Sequence, residues 1–245
     1  MDISGRTVLI VGGTSGIGRG LARRFADAGS TVVVGGRNTE QVEGLETVRV
    51  DAPIPNPSSP PATTSRETPR SRRPRDDVGR MLTEDLRDPA HISQAEATIA
   101  VNLLGTIRVI DAFTRHLVDR AAGDIITVTS GIGFMPFPLM PTYGASKAGV
   151  HSYTESLRAH LTGTGVSVTE LIPPAVANAG QEKLNPNALP LDGFLDEVVG
   201  LLTRDPSPNE IVVERAQPLR WAERDGTYAE LLDRRSQPLN TLPGR

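Results

Sequence analysis

Thr7-Val-Leu-Ile-Val-Gly-Gly-Thr-Ser-Gly-Ile-Gly18 opens with five apolar or β-branched residues and breaks into a glycine-rich turn. An unbroken run of this kind fits a parallel strand buried on both faces. Behind it, residues 19–28 carry Leu21, Ala22 and Phe25 on one helical stripe, and Gly29 stops the pattern. A strand, a glycine turn and a helix in this order make an anion cradle. Glycine lets the backbone approach a pyrophosphate, and the helix N-terminus offers N–H groups and the positive end of its dipole. A glycine triplet alone is a weak signal; its place between strand and helix gives it meaning. Gly12, Thr14, Ser15, Gly16, Ile17 and Gly18 are therefore the expected dinucleotide contacts.

Working outward, residues 31–34 (Thr-Val-Val-Val) predict a second buried strand and residues 47–50 a short third. Further on, 93–120 has helical periodicity, 124–129 reads as a strand, 142–161 as a long helix, and 166–172 as a strand. Residues 192–203 read as a helix and 210–213 as a last strand. This alternation predicts one α/β domain over residues 1–245, a Rossmann-type doubly wound parallel sheet with helices on both faces. With 38% hydrophobic and 22% charged residues and a net charge of −3, nothing points to a nucleic-acid partner. The absence of cysteine excludes disulfides and thiolate metal sites, and four scattered histidines predict no metal. No apolar run approaches the roughly 18–20 residues of a membrane span, so no membrane association and a cytoplasmic location are expected.

The end of the second strand bears on the cofactor. An acid there would hydrogen-bond a ribose 2′-hydroxyl, but the chain has Gly35-Gly-Arg-Asn38. The Arg37 guanidinium suits a 2′-phosphate, with Asn38 beside it. NADP(H) is therefore the expected cofactor.

Tyr143-Gly-Ala-Ser-Lys147 places a phenol and an ammonium four residues apart, on one helix face. A phenol is a poor base at its ordinary pKa of about 10; a nearby ammonium favours the phenolate, so that the pair serves as acid or base near neutrality. Ser130 ends the preceding strand, thirteen residues before Tyr143, where its hydroxyl could hold a substrate oxygen.

These pieces, with Asn102 in Val101-Asn-Leu-Leu-Gly105, resemble the short-chain dehydrogenase/reductase family, in its order and over most of the chain. The resemblance implies a catalytic tetrad of Asn102, Ser130, Tyr143 and Lys147, with Asn102 holding a water through its backbone and Lys147 also binding the nicotinamide ribose. It implies that Asp51 meets the adenine and that the segment from Pro173 to Asn178 meets the nicotinamide. The family has Pro-Gly and a threonine there; this chain has Pro173-Pro174 and Asn178, with Val176 the better match. The tail, with Ile211-Val-Val-Glu-Arg215 and Pro218-Leu-Arg-Trp221, resembles a bacterial DltE-like subgroup. A homodimer or homotetramer through the helices near Asn102 and after Tyr143 is implied as well.

One stretch departs from the pattern. The family has a helix and then a central fourth strand after the third, whereas residues 52–79 are dominated by Pro, Ser, Thr and Arg. Proline lacks the ladder donor and arginines would be buried there, so this segment cannot supply a central strand. Either a natural disordered insertion replaced the strand or the reading frame is shifted, the preferred account. Ser71-Arg-Arg-Pro-Arg-Asp-Asp-Val-Gly79 admits codons that, read one base later, encode Leu-Asp-Val-Leu-Val-Thr-Met-Ser, an apolar strand. Residues 52–67 admit codons that give a capped helix in a different frame.

The resulting expectation is an oxidoreductase moving a hydride between NADP(H) and a small, hydrophobic carbonyl or alcohol. Ile132, Phe134, Pro136, Phe137 and Met140 are expected to wall the substrate pocket and residues 179–191 to cover it. The alternatives are a non-catalytic NADP(H)-binding regulator and an impaired product of a damaged frame.

Overall fold

The computed structural model describes residues 1–36, 42, 44–50, 81–177 and 187–244. The opening run forms β1 (Thr7–Val11), followed by α1 (Gly16–Asp27), β2 (Thr31–Gly36) and β3 (Glu46–Arg49). The helix thus starts within the glycine turn, three residues earlier than its apolar stripe indicated. After the undescribed stretch come α2 (Ile92–Ile99) and α3 (Gly105–Asp119), joined without a break by a π-helical turn at Ala100–Leu104. Then follow β4 (Gly123–Val128), α4 (Pro141–His160) and β5 (Val166–Ile172). The short pair β6 (Val176–Ala177) and β7 (Leu189–Pro190) precedes α5 (Leu191–Arg204) and β8 (Glu210–Val212). The tail folds into α6 (Gln217–Arg220) and α7 (Tyr228–Ser236).

All described strand pairings are parallel, as an alternation of strands and helices demands. Among the described residues the strands fall into two three-stranded sheets, β1-β2-β3 and β4-β5-β8, beside the β6-β7 pair. One apolar core joins the two larger sheets from one side. Phe25 of α1 and Phe194, Leu195 and Val198 of α5 pack with Val34 of β2, Leu171 of β5 and Ile211 of β8. On the other face, Ile110 of α3 and Leu157 of α4 close over Val166 and Val168. The α/β architecture with helices on both faces is as the sequence predicted.

Full burial of β1 is not what the structure shows. Its ends are exposed and its middle only half-buried, while β2 and β5 are the buried strands. Val8 and Ile10 face the core; Val11, on the alternate face, is 37% exposed, and Ile126 and Val128 of β4 are 36% and 38% exposed. The reason is topological: among the described residues, β1 pairs only with β2 and β4 only with β5. A salt bridge from Arg6 Nη1 to Asp124 Oδ2, 3.2 Å, links the starts of these two strands.

The expectation that nothing is long and apolar enough to cross a membrane needs correction. The continuous helix Pro89–Asp119, 31 residues, is so by length and composition. A search for an unbroken apolar run passes over it because Glu96, Asn102 and Arg108 interrupt the sequence. The core helix of a soluble protein has the same character.

Candidate active site

The C-terminal ends of β1, β4 and β5 lie on one side of these parallel sheets, where an open α/β fold binds its ligands. After β1 the chain turns through Gly12, whose φ of +83° is open to glycine and strained for other residues. A Cβ on Gly18 would stand 2.4 Å from Gly12 O, so the loop closes on the first turn of α1 only because Gly18 has no side chain. Ser15 caps that helix with extended backbone, and its hydroxyl makes no bond to the first turn. Gly36, closing β2, lies directly against Thr14. The loop and the end of β2 are therefore adjacent, as a dinucleotide site requires. Arg37, Asn38, Asp51 and Asn178 lie outside the described residues.

Ser130 follows β4 in extended conformation and is 7% exposed. Its hydroxyl accepts the Ile132 N–H at 3.4 Å, capping the short 3-10 turn at Gly131–Gly133. The Gly131 N–H donates to Pro173 O at 3.0 Å, which brings the Pro173 segment beside the serine. Val176 lies further on, in β6, packed against the main core.

Pro141 begins α4 and Glu84 caps it. The 4%-exposed Glu84 carboxylate accepts the Thr142 N–H at 3.2 Å and the Thr142 hydroxyl at 2.7 Å. A buried negative charge at a helix N-terminus complements the dipole and fixes the turn that carries Tyr143. Ser130 is the side chain that acts on the Tyr143 phenol. Burial raises the phenol above its usual pKa and Ser130 pulls it back in part, so Tyr143 is a protonated donor at neutral pH. Lys147 lies one turn on, its Nζ 5.8 Å from the Tyr143 ring centre. Burial lowers its pKa to about 8.

The Lys147 ammonium donates to Val128 O at 2.9 Å. The Thr129 N–H bonds Leu171 O across to β5, so the alternate residue, Val128, turns its own carbonyl to the other edge of β4. Lys147 thus binds an acceptor on the edge that has no strand among the described residues.

Asn102 sits in the π turn, where one extra residue re-aims side chains. Its Nδ2 donates to Ser146 Oγ at 3.2 Å, and Ser146 Oγ donates to Tyr143 O at 2.7 Å. Asn102 therefore reaches α4 through Ser146, a link the sequence did not reveal. Its carbonyl, the expected water acceptor, receives the Thr106 hydroxyl at 2.8 Å.

Two of the expected pocket-wall residues are engaged in packing. Phe134 meets the His151 ring edge-on at 4.6 Å and carries the Arg220 guanidinium 4.4 Å above it. Phe137 lies 5.0 Å beneath Arg235, whose Nε donates to Pro136 O. Of the expected cover at 179–191, residues 179–186 lie outside the described residues, and Leu189–Pro190 is strand β7.

The comparisons with known proteins agree with this geometry. The sequence model described as short chain dehydrogenase matches residues 6–50 and 84–189, more than half of the chain, and breaks off across the anomalous stretch. Sulfoacetaldehyde reductase 2 of Chromohalobacter salexigens is 35% identical over 178 residues, 68% of this chain and 71% of that protein. The uncharacterized oxidoreductase DltE of Bacillus subtilis is 29% identical over 98% of this chain and 99% of its own. A Burkholderia cenocepacia short chain dehydrogenase solved in complex with NADP superposes with a TM-score of 0.71, at 22% identity over 95% of this chain and 99% of that one. One from Sphingobium yanoikuyae in complex with NADPH gives 0.67, at 22% identity over 93% and 95%. With the strand-end serine, the helical tyrosine and lysine, and the glycine turn in one order and on one fold, this chain belongs to the short-chain dehydrogenase family and is DltE-like within it.

Proposed function

We propose that the chain is an NADP(H)-dependent oxidoreductase acting on a small, hydrophobic carbonyl or alcohol, with Tyr143 as its acid or base. The observation that carries this reading is the placement of Ser130, at the end of β4, where it acts on the Tyr143 phenol of α4, with Lys147 one turn beyond. Ser130 holds the substrate oxygen. Tyr143, kept protonated by burial, donates its proton to that oxygen on reduction and takes it back on oxidation. Lys147 offers an ammonium to the cofactor ribose and to the phenol, and Asn102 steadies α4 through Ser146. The loop from Gly12 to Gly18 fits a dinucleotide because it closes tightly on the first turn of α1, which a Cβ at Gly18 would prevent by meeting Gly12 O. Thr14, Ser15, Gly16 and Ile17 complete the cradle, Arg37 and Asn38 take the 2′-phosphate, Asp51 the adenine, and Pro173 and Val176 the nicotinamide. NADPH, when bound, supplies the hydride. The solved relatives in complex with NADP and NADPH support this cofactor, and the Chromohalobacter reductase supports a small carbonyl substrate.

Calorimetric titration with NADPH and, separately, NADH is the direct test. Tight NADPH and weak NADH binding is the expected result; equal binding would remove Arg37 as phosphate reader, and no binding by a folded sample would overturn the cofactor reading. Gly18→Ala should cost roughly 1–3 kcal/mol of backbone rearrangement. NADPH affinity is then expected to fall roughly 10- to 100-fold, and an unchanged affinity would place the cofactor elsewhere.

The lysine makes a pH prediction. Its folded-state value of about 8 lies below the ordinary 10.5, so the ammonium is present below pH 8 and is lost above it. NADPH affinity should decline as pH rises through about 8, by roughly tenfold if a charged hydrogen bond of about 1.5 kcal/mol disappears. Titrations on both sides of that pH, repeated with Lys147→Met, should show the decline only in the unaltered chain.

One observation favours a second reading, the impaired product. With the sheet divided among the described residues, Lys147 is held by Val128 O. A broad, non-cooperative melt would support it. For assembly we propose a homodimer or homotetramer, in the cytoplasm, through α3 and α4; Leu104, closing the π turn before α3, and Phe113 within α3 are 40% and 45% exposed. Light scattering of the eluted protein tests that assignment.

A further inference from the structure

Behind Ser130 lies a buried polar cluster that the proposed chemistry does not use. Glu170, in β5, is wholly buried. Its Oε1 accepts the Thr129 hydroxyl at 2.6 Å, and its Oε2 pairs with His151 Nδ1 at 2.8 Å. His151 stands on α4 one turn beyond Lys147. Its ring meets Phe134 edge-on at 4.6 Å, and Phe134 directly follows the 3-10 turn that Ser130 caps.

Glu155 of α4 and Glu210 of β8 complete the cluster, with ligand atoms of the four residues within 4.8 Å of one another. Such a set resembles a cation site, but it already holds its cations. Arg220 binds Glu210 through both nitrogens, at 3.0 and 2.7 Å, and its guanidinium is stacked between Phe134 and Trp221 at 4.4 and 4.2 Å. Glu155 is paired with Arg158. The charges facing His151 are therefore Glu170, Glu155 and Glu210 on one side of the balance and Arg220 on the other.

We propose that Glu170 and His151 are positioning residues that fix Ser130 against Tyr143. Glu170 grips Thr129, immediately before Ser130, and His151 braces Phe134, four residues after it. Because His151 belongs to the same helix as Tyr143 and Lys147, the carboxylate–imidazole pair ties the end of β4 to α4. A buried carboxylate is costly unless fully hydrogen-bonded, and here both of its oxygens are engaged by the two elements whose spacing matters. The Glu170 hydrogen bond raises His151 above its usual pKa, against burial and Arg220, so the imidazolium form of the pair is favoured below that raised value. The proposal rests on the assignment of Ser130 and Tyr143 as the reacting pair, but its test does not need turnover.

The test follows the Tyr143 phenol directly, by titrating protein labelled with 13C at the tyrosine ring carbon bearing the hydroxyl. The chain has three tyrosines, and Tyr143→Phe identifies the relevant signal. Glu170→Gln and His151→Leu are expected to shift the Tyr143 midpoint upward, because Ser130, whose hydroxyl lowers it, is no longer held in place. His151→Asn, whose side-chain nitrogen can stand in for Nδ1, should restore the unaltered midpoint. A lower melting temperature with an unmoved Tyr143 midpoint would show that the pair is only structural and would overturn the proposal. A rise in melting temperature on adding zinc or manganese, abolished by Glu170→Gln, would overturn it in favour of a metal site. Should Tyr143→Phe retain activity while the midpoint shifts still occur, the assignment of the reacting pair fails and the positioning geometry stands.

Discussion

Tyr143→Phe is expected to lower kcat for any carbonyl the unaltered chain reduces by about 10²–10⁴-fold, the usual contribution of a positioned acid or base, while NADPH affinity stays within about twofold. The substitution removes one oxygen from a ring whose bulk is retained, so packing in the first turns of α4 should survive. It removes the hydroxyl on which Ser130 acts. Because the phenol is protonated at neutral pH, the loss should fall on the proton-donating step, in kcat and kcat/KM together, the signature of an interaction made in the transition state. Single-turnover oxidation of NADPH, followed by absorbance, separates this step from product release. A variant retaining more than about a tenth of the rate would remove Tyr143 from its assigned role. Loss of NADPH binding as well would mean that the phenol builds the cofactor site.

The side chains proposed to react were legible in the sequence because chemistry restricts both residue type and spacing. A phenol needs an ammonium one helical turn away, and Tyr143 and Lys147 can hardly be read otherwise once Ser130 closes a strand before them. The elements around them were equally readable, since strands β2 and β5 are nearly unbroken β-branched or apolar runs. What escaped were links between distant elements. Ser146 connects Asn102 to α4 across 44 residues, and Glu84 caps α4 from 58 residues away; no periodicity encodes such pairs. Glu170 did leave a trace, as a lone charge inside Val166-Ser-Val-Thr-Glu-Leu-Ile172. A carboxylate in a strand buried to this degree must have partners, though not which ones. The exposure of β1 escaped for the opposite reason: its sequence is that of a central strand, and burial depends on a neighbour that the described residues do not contain.

That neighbour is the subject of the second large effect. Replacing residues 71–78 with Leu-Asp-Val-Leu-Val-Thr-Met-Ser is expected to raise the melting temperature by on the order of 10 °C and to tighten NADPH binding. The facing edges of β1 and β4 each have backbone groups for a ladder and, among the described residues, no partner strand. The half-exposed Val11, Ile126 and Val128 lie along those edges. Covering the exposed third of such side chains yields roughly 0.5–1 kcal/mol each, a third of the value for complete burial, and a parallel ladder adds about 1 kcal/mol net per bond. Burying the new strand's own two leucines and two valines adds roughly 6–12 kcal/mol, ordering eight residues costs roughly 8–16 kcal/mol, and each kcal/mol of net gain raises the melting temperature of a chain of this size by about 2–4 °C. The effect on binding has a separate cause. Val128 O would bond the new strand, and Lys147, whose ammonium now donates to it at 2.9 Å, would be released toward the ribose. The two readouts therefore divide the possibilities. A higher melting temperature with unchanged NADPH affinity would mean that the strand docks but Lys147 was never held back. No change in either would mean that the division between the sheets is not a vacant strand position, and the 52–79 segment would then stand as this chain's own solution to joining β3 to α2.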